Sequence, residues 1–265
     1  MYPNQPNMQC EDDLDLIDTH CHLDQEILSA RLPQVLEAAR KAGVKRFVVP
    51  GVHPGDWGRM AAIARSHDGI FPAFGIHPMH ADLADGATLS QLAVLAPGAV
   101  AIGEIGLDPT YPIPLEAQEY AFREQLRLAL ALGLPVLLHC RRAFQRTLHI
   151  LGEENADRVG GIMHAFSGSV EMALEFIRLG FAISISGTVT WPNALRPAKL
   201  ARELPLESLV LETDAPDMTP HPFRGQPNQP AYLACVLGSV ALIRGMHPQE
   251  VARQTTRNAV TILSI

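Results

Sequence analysis

Short runs of aliphatic and β-branched residues alternate along the chain with longer segments whose apolar positions recur at three and four residues. Eight runs predict strands: near Leu14 to Asp18, then Arg46 to Gly51, Phe71 to His77, Val100 to Glu104, Pro135 to His139, Gly161 to Phe166, Phe181 to Ser186 and Ser208 to Asp214. Between them lie helical patterns. The clearest is PLEAQEYAFREQLRLALALGLP, with Pro114 at its start and Gly133 and Pro135 at its end. QVLEAARKAGV, VEMALEFIRLG and YLACVLGSVALIRG share its periodicity and glycine stop, and HPQEVARQTTRNAVTIL predicts a closing helix. Eight strands, each followed by helix, predict an α/β fold of the (β/α)8 TIM barrel type, whose chemistry sits at the C-terminal ends of the strands. A doubly wound sheet is the competing architecture, but no G-x-G-x-x-G follows the first strand.

Composition narrows the picture. At 265 residues and 47% hydrophobic, the chain has length and apolar content for one barrel over residues 1–265, with a polar, acidic N-terminal extension over 1–13. That extension lacks the basic start and apolar run of an export signal, and no run approaches the roughly 20 apolar residues of a membrane span. A cytoplasmic location and no membrane partner are therefore expected, and no obligate protein partner is indicated. Cys10, Cys21, Cys140 and Cys235 are scattered without a C-x-x-C pair, which argues against a disulfide framework and a cysteine zinc site. The net charge of −7 excludes a protein that coats nucleic acid with a broad basic face. It leaves nucleic acid open as a substrate, since a bound metal cluster makes a locally positive site.

The apolar runs end in metal-ligand chemistry. The first leads to His20 and His22, whose i, i+2 spacing on an extended strand turns both to one side; the fourth leads to Glu104, the fifth to His139, the sixth to His164 and the eighth to Asp214. Taken singly, each has a bland reading: a core histidine bonded to backbone, a carboxylate paired with arginine, a helix cap. Taken together, six such groups at one barrel mouth are costly to bury without a cation. They exceed what one tetrahedral zinc needs and match two ions sharing a carboxylate, with Glu104 the candidate bridge. Four neutral imidazoles, two carboxylates and two divalent cations leave the cluster net positive, and so attractive to a phosphodiester.

The motifs LIDTHCHLD, GIHP, AIGEIGLD, PVLLHCRRAF, MHAFSG and LETDAPDM, in this order, resemble the TatD-type metal-dependent deoxyribonucleases of the amidohydrolase superfamily over nearly the whole chain. FRGQPNQP resembles a less characterised branch of that family. The resemblance implies a TIM barrel that hydrolyses phosphodiester bonds, generally in DNA, with two divalent cations. It implies that His20, His22 and Asp214 hold one ion, that His139 and His164 hold the other, that Glu104 bridges, and that Asp214 orients or deprotonates the attacking water. The expected chemistry is attack on phosphorus by a hydroxide activated between the ions, with Asp214 and Glu104 as the catalytic carboxylates. A small ester, lactone, amide or phosphate compound is the alternative substrate, since the same nucleophile attacks carbonyl carbon. Imidazole-rich ligation suits zinc, manganese, iron or nickel, while magnesium is the usual assignment for the family. Two departures from the family pattern bear on substrate: Arg142 where an acidic residue is frequent, and Asp217 where an aromatic is common.

Supporting residues carry paired readings. Asp18 and Glu212 share strand parity with the ligands and either orient them or make ordinary ion pairs. Arg141 either clamps phosphate or neutralises Glu212. His77 is expected to face the site and hydrogen-bond substrate; Arg224 and Asn228 lie where they can touch substrate. Trp191 either stacks on a base or packs in its loop. Arg146 either extends a basic rim or lies on a helix face.

Overall fold

The apolar runs form eight parallel strands, hydrogen-bonded in chain order: β1 (Leu16–Asp18), β2 (Val44–Pro50), β3 (Ile70–Phe74), β4 (Ala101–Leu107), β5 (Val136–Cys140), β6 (Gly161–Met163), β7 (Phe181–Ile185) and β8 (Leu209–Leu211). The computed structural model describes residues 14–265; the polar extension over 1–13, with Cys10, lies outside the described residues. The ring closes where Thr19 N donates to Leu211 O (3.1 Å), Asp214 N to His20 O (2.8 Å) and His22 N to Ala215 O (2.8 Å). The predicted TIM barrel is the observed fold.

Helices wrap the outside: α1 (Glu26–Ser29) and α2 (Leu32–Lys41), then α3 (Trp57–Ser66), α4 (Gly86–Leu95), α5 (Leu115–Leu132), α6 (Phe144–Glu153), α7 (Val170–Arg178), α8 (Leu195–Glu203), α9 (Leu233–Arg244) and α10 (Pro248–Leu263). Their ends follow local chemistry. Helix α5 starts after Pro114 and stops at Gly133, whose φ of 67° is the left-handed conformation that glycine adopts without a Cβ penalty. His247 caps α10, its ring accepting from Gln249 N while its own N–H donates to Glu250. No single described helix is long and apolar enough to cross a membrane.

Two apolar layers result. Phe47, Trp57, Phe74, Phe122, Phe176 and Phe181 are fully buried between sheet and helices, each worth roughly 1.5–3 kcal/mol. Inside the ring, each strand contributes one residue (Ile17, Val48, Ala73, Ala101, Leu137, Ile162, Ala182, Val210), and Ala259 and Leu263 of α10 pack against them. This inner layer is the floor of the site. Two residues onward in β5, β6 and β8, strand alternation turns His139, His164 and Glu212 inward, and Asp214 follows at four.

Strand β4 departs from the sequence expectation. It runs three residues past Glu104, and its pairing with β5 shifts register between Gly103 and Ile105. Ala101 packs in the inner layer while Ile102 and Ile105 pack in the outer one, so the shift is what leaves Glu104 facing the lumen. Gly106 lets β4 lie against β5: its φ is +145°, and a Cβ there would sit 1.9 Å from His139 O. Gly106→Ala is expected to be severely destabilising, adding a backbone clash to the roughly 1–3 kcal/mol of a disfavoured conformation. Thermal melting followed by circular dichroism should show a large fall in Tm or no soluble protein; an unchanged Tm would contradict this account of β4.

Candidate metal centre

Glu104 stands at the middle of the cluster, 3% exposed. Its Oε2 lies 3.3 Å from His20 Nε2; its Oε1 lies 2.8 Å from His139 Nδ1, 3.7 Å from His77 Nε2 and 3.9 Å from His164 Nε2. Asp214 Oδ1 is 3.5 Å from His22 Nε2, 3.7 Å from His164 Nε2 and 3.8 Å from His20 Nε2. The His20 and His164 rings stack at 3.5 Å between centroids. All six expected ligands therefore meet at one place, and the two oxygens of Glu104 face different histidines.

The backbone that aims these groups is unusual. Asp214 has φ 57° and Ala165 φ 42°, left-handed conformations that non-glycine residues rarely adopt. Cross-strand contacts hold them there: Asp214 N donates to His20 O, and Ala165 N donates to Glu212 Oε1 at 2.8 Å. The other oxygen of Glu212 binds His164 Nδ1 at 3.0 Å, which leaves Nε2 facing Glu104 and Asp214.

The electrostatics favour positive charge. Burial opposes ionisation of Glu104, but His20, His77, His164 and the His139 hydrogen bond outweigh it and hold its carboxyl well below the usual range. Burial likewise opposes a charge on His164, yet Glu212, Asp214 and Glu104 raise its pKa to about 10. Burial dominates at His77, lowering it to about 3, and together with His164 lowers His20. Two neutral imidazoles beside carboxylates held in the ionised form are the donor set of a cation site. His20 Nε2 is buried, and despite its nearness to Glu104 it has no aligned hydrogen-bond partner, as expected of a nitrogen aimed at a cation. Divalent cations fit the residues present.

Among the described residues, three groups have donor atoms close enough to hold an ion: His20, His22 and Asp214; His20, His164 and Glu212; and His77, Glu104 and His139. His77, expected at the substrate, thus stands beside Glu104, while its Nδ1 accepts from Met79 N at 3.2 Å. Asp108 escaped the sequence reading. It is buried, and its Oδ2 lies 3.1 Å from His139 Nε2. It closes the AIGEIGLD motif at i+4 from Glu104, and that parity was the available signal.

The paired readings resolve. Asp18 accepts from Thr213 N (2.9 Å) and Thr213 Oγ1 (2.5 Å), lacing β1 to β8 without reaching an imidazole. Glu212 holds His164, so Arg141 does not neutralise it; Arg141 stays exposed at the end of β5. Asn228 is buried and donates to Thr213 O (2.8 Å) and Asp217 O (2.6 Å), fixing the loop after β8 in place of touching substrate. Arg146 pairs with Glu119 across helices α5 and α6, away from any basic rim. Arg142 and Asp217 are both exposed. Trp191 is 39% exposed, with the Arg224 guanidinium carbon 5.8 Å from its ring centroid.

A sequence model described as "TatD related DNase" matches residues 17–264. The chain belongs to the TatD family. Among its TatD relatives, the uncharacterized metal-dependent hydrolase YabD of Bacillus subtilis is 39% identical over 254 residues, 94% of this chain and 99% of the relative. The crystal structure of YjjV, a TatD homolog from Escherichia coli, superposes with a TM-score of 0.89 at 36% identity, over 94% of this chain and 98% of that one. The mouse protein named "Putative deoxyribonuclease TATDN3" is 33% identical over 262 residues, 93% of this chain and 87% of the relative. This TatD protein is a metal-dependent hydrolase with buried histidine and carboxylate clusters at its barrel mouth.

Proposed function

We propose that the protein is a deoxyribonuclease that hydrolyses DNA phosphodiester bonds with two divalent cations. The observation that carries the two-cation reading is Glu104, buried, with one oxygen facing His20 and the other facing His139, His77 and His164. His20, His22 and Asp214 would hold one ion and His139 and His164 the other, with Glu104 standing between the two sets. When bound, the cations supply Lewis acidity toward phosphoryl oxygen and make water a nucleophile near neutral pH. Asp214 Oδ1 is the proton acceptor for the attacking water, since it is the carboxylate oxygen nearest His22 and also faces His20 and His164. Glu212 fixes the His164 ring through Nδ1, and Asp108 does the same for His139 through Nε2. Arg141 and Arg224 are exposed guanidiniums that orient phosphate from the rim. DNA as the substrate draws support from the family's description and from the name of the mouse relative.

Substrate class is tested by incubating the metal-loaded protein with an end-labelled single-stranded oligonucleotide, and in parallel with carboxylic esters, lactones and small phosphate esters. Laddered oligonucleotide is expected. Turnover of a small ester or lactone with the oligonucleotide intact would transfer the site to small substrates. Glu212→Gln should lower metal affinity or activity about 10–100-fold, the usual effect of removing a group that orients a metal-binding histidine. Calorimetric metal titration beside the cleavage assay checks this, and wild-type values in both would contradict the role given to Glu212.

A further inference from the structure

A cleft of about 470 Å³ between the loops after β6 and β7, closed by Met218 from the loop after β8, takes no part in the steps above. Its size falls in the range of roughly 300–1,000 Å³ typical of small-molecule sites. Ala165, whose N–H is bound by Glu212, lines it, so the cleft adjoins the metal centre. Phe166, Trp191, Leu195 and Met218 give it apolar walls.

Trp191 is built as a fixed surface. Its only polar atom, Nε1, donates to Thr219 O at 3.0 Å, which ties the β7 loop to the β8 loop. A second tie lies beside it, where His221 N donates to Thr190 Oγ1 at 2.8 Å. With its N–H satisfied by protein, the ring still leaves 39% of the residue exposed. The charge around it is positive. Arg196 lines the cleft and spends one donor on Ser167 O (3.1 Å), Arg224 sits within cation–π distance of the Trp191 ring, and none of the described lining residues is a carboxylate. In a chain with net charge −7, an aromatic wall flanked by two guanidiniums suits a ligand with a π face and an anion. An aliphatic acyl group would use the walls but neither arginine.

The geometry points to a nucleobase subsite, in which the base beside the scissile phosphodiester stacks on Trp191 while Arg196 and Arg224 face the adjoining phosphate. This deepens the deoxyribonuclease reading and rests on it. Ser186 and Thr188, two of the hydroxyls lining the cleft, bond each other at 3.0 Å, and Ser167 and Asn193 are its other neutral polar side chains. The aromatic wall makes stacking the main contact, so all four bases are accepted and purines bind better than pyrimidines through their larger faces.

Tryptophan fluorescence reads this directly. The chain has two tryptophans, and the other, Trp57, is fully buried with its Nε1 bonded to Gly75 O, so a nucleotide-dependent signal comes from Trp191. Metal-loaded protein is titrated with dAMP and with 2-deoxyribose 5-phosphate, which carries the same sugar phosphate without a base. Saturable quenching by dAMP and none by the sugar phosphate is expected. Trp191→Ala should weaken dAMP binding about ten-fold or more by calorimetry. Since that variant also cuts the tie to Thr219, Leu195→Asp is the second probe. Leu195 is 84% exposed in the first turn of α8, where an acidic residue suits the helix, yet it places negative charge in the cleft. It should also weaken dAMP binding. Equal binding of the two ligands, or wild-type dAMP affinity in Leu195→Asp, overturns the subsite. Base-dependent quenching with an intact oligonucleotide supports the subsite and removes the deoxyribonuclease reading. Cleavage of normal and abasic oligonucleotides at equal KM overturns the subsite and leaves that reading standing.

Discussion

Glu104→Gln is expected to abolish hydrolysis, with kcat/KM falling at least about 10²–10³-fold, the scale of removing one preorganised charge-stabilising group. The reasoning is electrostatic. Among the described residues, Glu104 is the one carboxylate within 4 Å of His20, His77, His139 and His164 together, and it is buried beyond the reach of solvent compensation. An amide of the same shape keeps the side-chain volume in the lumen but removes the charge shared by two ions. The variant should therefore fold as the wild type does, bind less metal per chain, and lose activity in proportion. Elemental analysis of the purified variant, read beside its circular dichroism melt, separates these effects. A fully metallated, inactive Glu104→Gln would show that the carboxylate acts on substrate and does not hold the ions.

The second large effect is expected from Asp214→Asn, about 10²–10⁴-fold in kcat, the range of positioned acid–base groups. Asparagine keeps an oxygen toward His22 and the backbone N–H that binds His20 O, and asparagine tolerates the left-handed conformation found at φ 57°. Folding should be preserved. What is lost is the oxygen that takes a proton and the negative charge facing three imidazoles. Steady-state kinetics of a metal-loaded preparation should show kcat reduced with KM little changed. An Asp214→Asn variant with full turnover would remove this residue from the proton-transfer role.

The site was legible in the sequence where strand alternation runs unbroken, and obscure where it does not. His139 and His164 follow Leu137 and Ile162 by two residues, and Glu212 and Asp214 follow Val210 by two and four, so an apolar run and its parity locate them. Parity fails after β1: Ile17 packs in the inner layer and His20, three residues on, also faces inward, so Asp18 does not share the face of His20 and turns to Thr213. It fails again in β4, where the shift after Gly103 faces Glu104 into the lumen from mid-strand. Asp108 was missed for the related reason that the strand seemed to end at Glu104. Loop residues were the least legible. Sequence left Trp191 between stacking and packing, and Asn228 near substrate; tertiary hydrogen bonds to Thr219, Thr213 and Asp217 decide their placement, and those partners are set by chain folding that no local pattern encodes.

The most direct test of the central claim is to titrate metal-free protein with Mn²⁺ or Zn²⁺ while following both bound metal per chain and cleavage of an end-labelled single-stranded oligonucleotide. Cleavage is expected to rise with occupancy and level off at two ions per chain, and to run about 10²–10⁴-fold slower at every loading in Asp214→Asn. Two ions bound with the oligonucleotide intact would contradict the deoxyribonuclease, and full cleavage with a single ion bound would contradict the bridging role of Glu104.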